Sequence, residues 1–572
     1  MAKAYKAALG NRKQTPQSEP IPGKQMERNN AGGFSFVLDD WGRLERFLIL
    51  GTVGGTYYAS QQKHTKEALD VVRKCAAADF DRTLATVVQV SDSGRAIKND
   101  EAIVALAILA SDQNTQKSTQ ALRELPKVAR IGTHLFQFVD VINGLRGWGR
   151  RLRECVADWY LTKSPADLAY QVSKYQQRES WSHRDVLRKC KVKTDDPELS
   201  GVLAWAAGYA KGKSFTDKTL ELFPQTLDNY NQRRRNWLEM PTGAAATRLH
   251  AVEAAKQATS AKEIVKLIRE AGLVRENIPT QYLDDIDVWA ALLEHMPLTA
   301  TIRNLAKLTQ IGLLTMGSEA TQMVVSRLRD ADYLRKSRVH PFTVLMAERV
   351  YSAGRGFRGG LHWAPNSTVV AALNDAFMST FSNVEPTGRR HLLALDVSGS
   401  MCTPMIDSML TVRDASAALA LLTVKTEPWT HCIGFTGGGG GYSYSRASGQ
   451  SVQNVDELVF SNCTSLQQAV TTVSNLPMGA TDCALPMLYA MHYKMPVDAF
   501  VVYTDNETWC GRIHPSQALQ QYRNAMGIPA KLIVVGMTST RFTIADPADA
   551  GMLDMVGFDA SGPAVMSNFI RG

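Results

Sequence analysis

The chain has 572 residues, 45% of them hydrophobic and 21% charged, an ordinary globular usage that excludes a wholly disordered or collagen-like chain. Its length is about four times a common domain size of ~150 residues, so two or three folding units are expected and one small core is excluded. The formal charge of +9 is unevenly placed: 11 basic and 14 acidic residues lie from Pro386 onward, against 53 basic and 41 acidic residues from Met1 to Glu385.

A cationic excess confined to the first two-thirds is the electrostatic footprint of a polyanion binder. No run approaches the ~18 consecutive apolar residues of a membrane span. The opening segment, MAKAYKAALGNRKQTPQSEPIPGK, is basic but has no apolar core of a secretory signal. A cytoplasmic protein without a membrane anchor is the expectation. The eight cysteines, Cys75, Cys155, Cys190, Cys402, Cys432, Cys463, Cys483 and Cys510, form no C-x-x-C pair, which points to reduced thiols rather than zinc or disulfides.

In chain order, residues 1–33 are polar and almost free of aromatics, and read as a flexible N-terminal arm. Residues 34–385 read as a long series of amphipathic helices. Apolar residues recur at three and four positions in KEALDVVRKC (Lys66 to Cys75), EAIVALAILA (Glu101 to Ala110), LRECVADWY (Leu152 to Tyr160) and VWAALLEHM (Val288 to Met296), the helical period. Breakers such as Gly144, Gly147, Pro165, Pro224, Pro279 and Pro297 separate them with no clear strand alternation. So many short helices exceed one bundle, and stacked helix pairs in a curved array fit better.

After Glu385-Pro386-Thr387-Gly388 the pattern changes. HLLALDVSGS (His391 to Ser400), HCIGFT (His431 to Thr436), AFVVYTD (Ala499 to Asp505) and KLIVVGM (Lys531 to Met537) are apolar strands alternating with helices at Met409 to Thr426, Ser465 to Leu476, Ala484 to Tyr493 and Ser516 to Met526. That alternation predicts a doubly wound α/β domain over 386–572, with a parallel sheet covered on both faces.

Asp396-x-Ser398-x-Ser400 stands where the first of these strands ends, the edge at which open α/β sheets bind ligands. Thr481 in MGATDC and Asp505 in YTDNET can converge there. Two carboxylates and three hydroxyls are an all-oxygen set suited to a hard divalent cation such as Mg²⁺, with waters completing the octahedron. Any single D-x-S-x-S is also an ordinary turn or cap; the positions of Thr481 and Asp505 in the strand order favour the metal. Gly437 to Gly441, followed by Tyr442 and Tyr444, lacks the Lys and helix start of a phosphate loop and reads as a flexible insertion.

This five-residue set resembles the metal-ion-dependent adhesion site of von Willebrand factor A domains. Beside it, GGTYYA (Gly54 to Ala59), GTHLFQFV (Gly132 to Val139), ADWY (Ala157 to Tyr160), KYQQRESWSHRDVLR (Lys174 to Arg188), EHMPLTATIRNLAK (Glu294 to Lys307), HPFTVLMA (His340 to Ala347) and TDNETW (Thr504 to Trp509) resemble the Ro ribonucleoprotein autoantigen family. The match runs from about residue 35 to the C-terminus. The resemblance implies a TROVE domain, a ring of HEAT-like helical repeats, closed by the von Willebrand factor A-like domain. Members of the family bind small noncoding Y RNAs on the outer face of the ring and thread single-stranded 3′ ends of misfolded RNAs through its hole; several bacterial members work with exoribonucleases.

The family's Y RNA surface carries over onto Lys174, Arg178 and the neighbourhood of His183, Arg184, Arg188 and Lys189, with Lys191 standing where the family has a histidine. Trp181 beside these cations is either a ring for a splayed base or part of the core. Arg303, Lys307 and Arg338 are candidates for the bore, while His134 and His340, in apolar surroundings, read as packed. The functional expectation is a noncatalytic RNA-binding scaffold, as a monomeric ring, in RNA quality control, maturation or degradation. The competing reading is a metal-dependent protein-recognition scaffold without a dedicated RNA ligand. Metal-dependent RNA hydrolysis fits poorly, since one hydroxyl-rich site has no nearby general base.

Overall fold

In the computed structural model, residues 14–52, 61–210, 224–356, 359–381, 385–405, 408–437 and 454–572 are described. The strands, in chain order, are β1 (Glu27–Arg28), β2 (Phe34–Val37), β3 (Gln177–Arg178), β4 (Trp181–Ser182), β5 (Arg390–Asp396), β6 (Trp429–Phe435), β7 (Val455–Leu458), β8 (Ala499–Thr504), β9 (Lys531–Gly536), β10 (Phe542–Thr543) and β11 (Met552–Val556). The glycine run beyond Gly437 lies outside the described residues.

Among the described residues between Asp40 and Ser379 the chain is mostly a succession of short helices, and four of them, Gln61–Ala78, Asp100–Ala110, Arg150–Leu161 and Ile286–His295, coincide with the amphipathic segments read above. Local chemistry sets their ends. Asp79, Asn114, Ser164, Asp196, Ser260, Asp285 and Ser318 each accept a hydrogen bond from the first-turn amides that have no partner within the helix. Gly94 and Gly272 end helices at φ of 71° and 61°, a backbone that side-chain-bearing residues resist. The buried faces join into one continuous core that extends into the α/β domain.

The ends of the array meet. Arg338, near its C-terminal end, pairs with Asp92 at 3.1 Å, and buried His340 bonds the Arg95 carbonyl at 3.1 Å. The α/β domain spans this junction. Arg95 pairs with Asp559 at 2.6 Å, fully buried Arg46 forks onto Asp554 at 2.7 and 2.8 Å, and Phe342 packs edge-on against Phe558. The helical array is thus closed, as the ring expectation requires.

The main sheet has the order β11-β9-β8-β5-β6-β7, parallel except for the edge strand β7. Alternate residues face opposite layers. Leu393, Leu395, Val501, Tyr503, Ile533 and Val535 join the core with the helices Val412–Thr426 and Leu466–Ser474, and Leu392, Ala394, Phe500, Val502, Leu532 and Val534 join the one under Leu485–His492 and Pro515–Met526. Burial on both faces is why these strands read as unbroken apolar runs.

Two expectations are corrected. The flexible arm expected over 1–33 is corrected from Gln14 onward, residues 1–13 lying outside the described residues: from Gln14 the segment is laid against the α/β domain, and β2 pairs with β1 on one side and with β10 on the other. Its buried polar side chains, Gln17 and Asn29, are satisfied by distant partners. The helical region also contains strands, since β3 and β4 form a hairpin with Gln177 opposite Ser182 and Arg178 opposite Trp181. Its two-residue loop, Glu179-Ser180, has φ of 48° and 62°, the double positive φ of the tight turn that matches strand twist.

Candidate metal centre and basic surface

Successive strands leave β5 toward β6 and β7 on one side and toward β8, β9 and β11 on the other. The gap between β5 and β8 is therefore the topological switch point, where an open α/β sheet holds its ligand. Leu395 lies opposite Tyr503, so Asp396 and Asp505 emerge side by side at the carboxyl edge. Thr481 is brought to the same edge through β6: the Thr436 hydroxyl donates to the Ala480 carbonyl at 2.8 Å, and Gly437 pairs with Ala480.

All five predicted ligands are buried: Asp396 0%, Ser398 1%, Ser400 3%, Thr481 0% and Asp505 2% exposed. Asp396 Oδ1 accepts the Ser398 amide at 2.9 Å and its Oδ2 the Thr504 hydroxyl at 2.7 Å. The Ser398 and Ser400 hydroxyls are 3.1 Å apart, and Ser400 in turn hydrogen-bonds Asp505. Burial, with the charge of Asp505 beside it, pushes Asp396 up to about 7, and burial raises Asp505 as well. Among the described residues, no basic side chain is one of the main influences on either carboxyl.

Two buried carboxylates without a cation are costly. The Thr481 hydroxyl, buried beside them, has no hydrogen-bond partner among the described residues, which is itself unfavourable unless something accepts its lone pairs. A hard divalent cation would answer both demands, and the oxygens of Asp396, Ser398, Ser400, Thr481 and Asp505 are the groups that would hold it. The donor set has only two carboxylates, and among the described residues no group of three His, Cys, Asp or Glu side chains gathers as a metal cluster. Such a metal would stay electrophilic and could accept an oxygen from a partner.

The loops behind these ligands are joined by the N-terminal segment, which sequence reasoning missed. Fully buried Gln17 donates from Nε2 to Asp482 Oδ1 at 2.8 Å and to the Ile513 carbonyl at 2.9 Å; its Oε1 accepts the Thr508 hydroxyl and the Gly511 amide. Asn29 reaches the Thr508 carbonyl at 2.7 Å, and Asn30 grips the Glu507 carboxylate through both its amide and its side chain. Only the clustering of polar residues that a solvated arm does not need could have signalled this.

The predicted basic residues lie on three successive elements: the helix Pro165–Lys174, the hairpin β3–β4 and the helix His183–Cys190. Ser182 and Asp185 form a reciprocal cap that sets the start of the last helix. Its His183, Val186 and Cys190 turn inward, while Arg188, Lys189 and the terminating Lys191 are exposed and Arg184 is half-exposed. Arg178 is exposed on β3 and pairs with Glu179 at 3.0 Å. Lys174 is half-buried; burial opposes its charge, but the Tyr170 hydroxyl at 2.9 Å and neighbouring Tyr175 more than offset that and leave its pKa raised.

His183 does not belong to the surface. It is 2% exposed, bonds the Tyr160 hydroxyl at 2.9 Å and packs 4.7 Å from the Phe136 ring; burial pushes it down to about 3, so it is neutral. At the first position of an amphipathic helix it falls on the apolar side. Trp181 is half-buried, with its indole N–H on Asp140 at 3.1 Å. His134 and His340 are packed as expected, both pushed down to about 4 by burial. Of the bore candidates, Lys307 pairs with Asp284 and Arg338 with Asp92, while Arg303 is exposed without an ion pair among the described residues.

Comparison with known proteins agrees with this architecture. Residues 27–353 match the TROVE domain and residues 390–570 the Ro60 vWA domain. The chain is 40% identical to the RNA-binding protein RO60 of Deinococcus radiodurans over 97% of both chains, and 35% identical to that of Caenorhabditis elegans over 98% of this chain and 93% of that one. Both relatives are named as RNA-binding proteins. The crystal structure of the Deinococcus radiodurans RO (RSR) protein superposes with a TM-score of 0.65 at 38% identity, covering 93% of this chain and 100% of that one. No helix among the described residues is long and apolar enough to cross a membrane. A TROVE domain of closed helical repeats, joined to a vWA domain with a cluster of buried oxygen-bearing side chains at its switch point, makes this chain a member of the Ro family.

Proposed function

We propose that this protein is a noncatalytic RNA-binding scaffold that holds a small Y-type noncoding RNA on the surface formed by Lys174, Arg178, Arg184, Arg188, Lys189 and Lys191. The observation that carries the reading is the state of these cations. Five of the six have no ion pair among the described residues, and all stand on adjoining elements of one helical domain. Unpaired cations so arranged neutralise phosphates and release their counterions. The names of the relatives support RNA as the ligand.

The closed helical array supports a second role, the capture of single-stranded 3′ ends of misfolded RNA in its bore, in RNA quality control, maturation or degradation beside an exoribonuclease. In this reading the protein is a cytoplasmic monomer. Asp396, Ser398, Ser400, Thr481 and Asp505 hold Mg²⁺, which supplies an electrophilic site for an acidic group of a protein partner. The buried, hydroxyl-rich pocket favours such assembly over chemistry.

The experiment is a binding titration of a folded small RNA against salt. Lys174→Glu/Arg178→Glu should weaken binding and flatten the dependence of log K on log[salt] by roughly 0.7–0.9 per lost contact. Unchanged affinity and slope would refute the surface.

A further inference from the structure

The loop between the helices Gly132–Leu145 and Arg150–Leu161 reads Arg146-Gly147-Trp148-Gly149 and borders the basic surface. Trp148 is half-buried and stands 6.2 Å from Trp181 of β4, centroid to centroid, with the rings inclined at 39°. Its indole N–H is held by Asn143 at 2.9 Å, as that of Trp181 is held by Asp140. Both rings are therefore oriented before any ligand arrives. They rest on the edge of the helical core and keep part of their surface in solvent. The glycines on either side leave the approach to Trp148 uncrowded, and nothing lies within 4 Å of where a side chain at Gly147 would begin.

Cations and carboxylates both border this pair. Lys189 places its ammonium 5.9 Å from the centre of the Trp148 ring. The Arg150 side chain is 91% exposed and, among the described residues, its ion pair is with Glu154, one turn along its own helix, a pairing worth little in water. Arg153 is exposed, has no ion pair among the described residues, and lies close enough to Cys190 for its charge to act on that thiol. The nearby acids are engaged: Asp140 by the Trp181 indole, Asp185 by the cap of its helix and Glu154 by Arg150.

We infer that Trp148 and Trp181, with Arg150, Arg153 and Lys189, form a second recognition element for RNA, a stacking platform for an unpaired base at the edge of the basic surface. The inference rests on the RNA reading above and adds what that reading lacks. Cations alone track phosphates and do not distinguish a duplex from a loop. An A-form stem keeps its bases stacked inside, whereas a base in a loop, bulge or tail can leave the helix and lie on an indole face. A ring pair fixed beside cations recognises the place where a bound stem gives way to a single strand.

The test uses the full-length protein and two synthetic RNAs, a hairpin with an unpaired loop and a blunt duplex of equal length, titrated by fluorescence anisotropy. Trp148→Ala should weaken the hairpin by about ten-fold or more, leave the duplex nearly unchanged and keep the salt slope. Trp148→Phe, which retains a ring, should recover most of the loss. Arg150→Glu/Arg153→Glu should flatten the slope by roughly 0.7–0.9 per contact. If Trp148→Ala leaves the hairpin affinity unchanged, or weakens both RNAs equally, while Lys174→Glu/Arg178→Glu still weakens binding, the platform is wrong and the basic surface stands. If the unaltered protein binds neither RNA, both are overturned.

Discussion

Replacing Gln17 by Ala should loosen the edge of the α/β domain that carries the candidate metal ligands. The side chain is fully buried and makes four hydrogen bonds to residues 465 to 496 positions away in sequence. Ala removes all four and leaves the Gly511 amide without its side-chain acceptor. At about 1 kcal/mol for each bond, with some recovered by local rearrangement, the local loss is about 2–4 kcal/mol. The Gly511 amide donates directly to Gln17, so its hydrogen exchange in the intact chain reports the loss, with an expected acceleration of about 30- to 700-fold. Gln17→Glu should be no better at neutral pH, because it sets a carboxylate where an amide donor faced Asp482 and the Ile513 carbonyl. Protection at Gly511 within about twofold of the unaltered protein would mean that the N-terminal segment does not hold these loops.

Three further outcomes are expected. His183 and His340 are buried neutral, with folded pKa values of about 3 and about 4 against about 6.5 when unfolded; their contribution is complete above pH 6.5 and is lost as pH falls below it, by about 2 kcal/mol each at pH 5. Denaturant unfolding at pH 7 and 5 measures this, and no difference would contradict their burial. Asp396→Ala should lower Mn²⁺ affinity at least ten-fold, by electron spin resonance, and neither form should cut RNA in Mg²⁺; cleavage that disappears in Asp396→Ala would make the site catalytic. A hairpin with a single-stranded 3′ tail should bind more tightly than its blunt version and be hindered by saturating small RNA, and equal affinities would rule out capture in the bore.

Much of the site is legible in the sequence because it depends on strand ends. Each parallel strand exposes its next residues at the carboxyl edge, so Asp396 after β5 and Asp505 after β8 are neighbours once the order of strands is known. Thr481 is harder, since it follows a helix and is placed by Thr436 and Gly437 beyond β6. Arg184 and Arg188 are legible as a polar helix face. His183 is not, because its inward direction depends on where the cap at Ser182 begins the helix and on Phe136 and Tyr160 from other helices.

What the sequence by itself determines here is periodic or local: helical and strand segments, the change of architecture after Glu385, caps, and the charge difference between the two parts. These follow from spacing and side-chain chemistry within a few residues. Tertiary structure alone decides which distant groups become partners. The polar stretch from Gln14 to Gly33 has the composition of a solvated arm, yet its amides meet buried acceptors and donors nearly five hundred residues away. The ring closes through Arg46, Arg95 and His340 in the same way. A buried polar group needs a partner wherever the chain can supply one, and no local pattern records which distant residue that is.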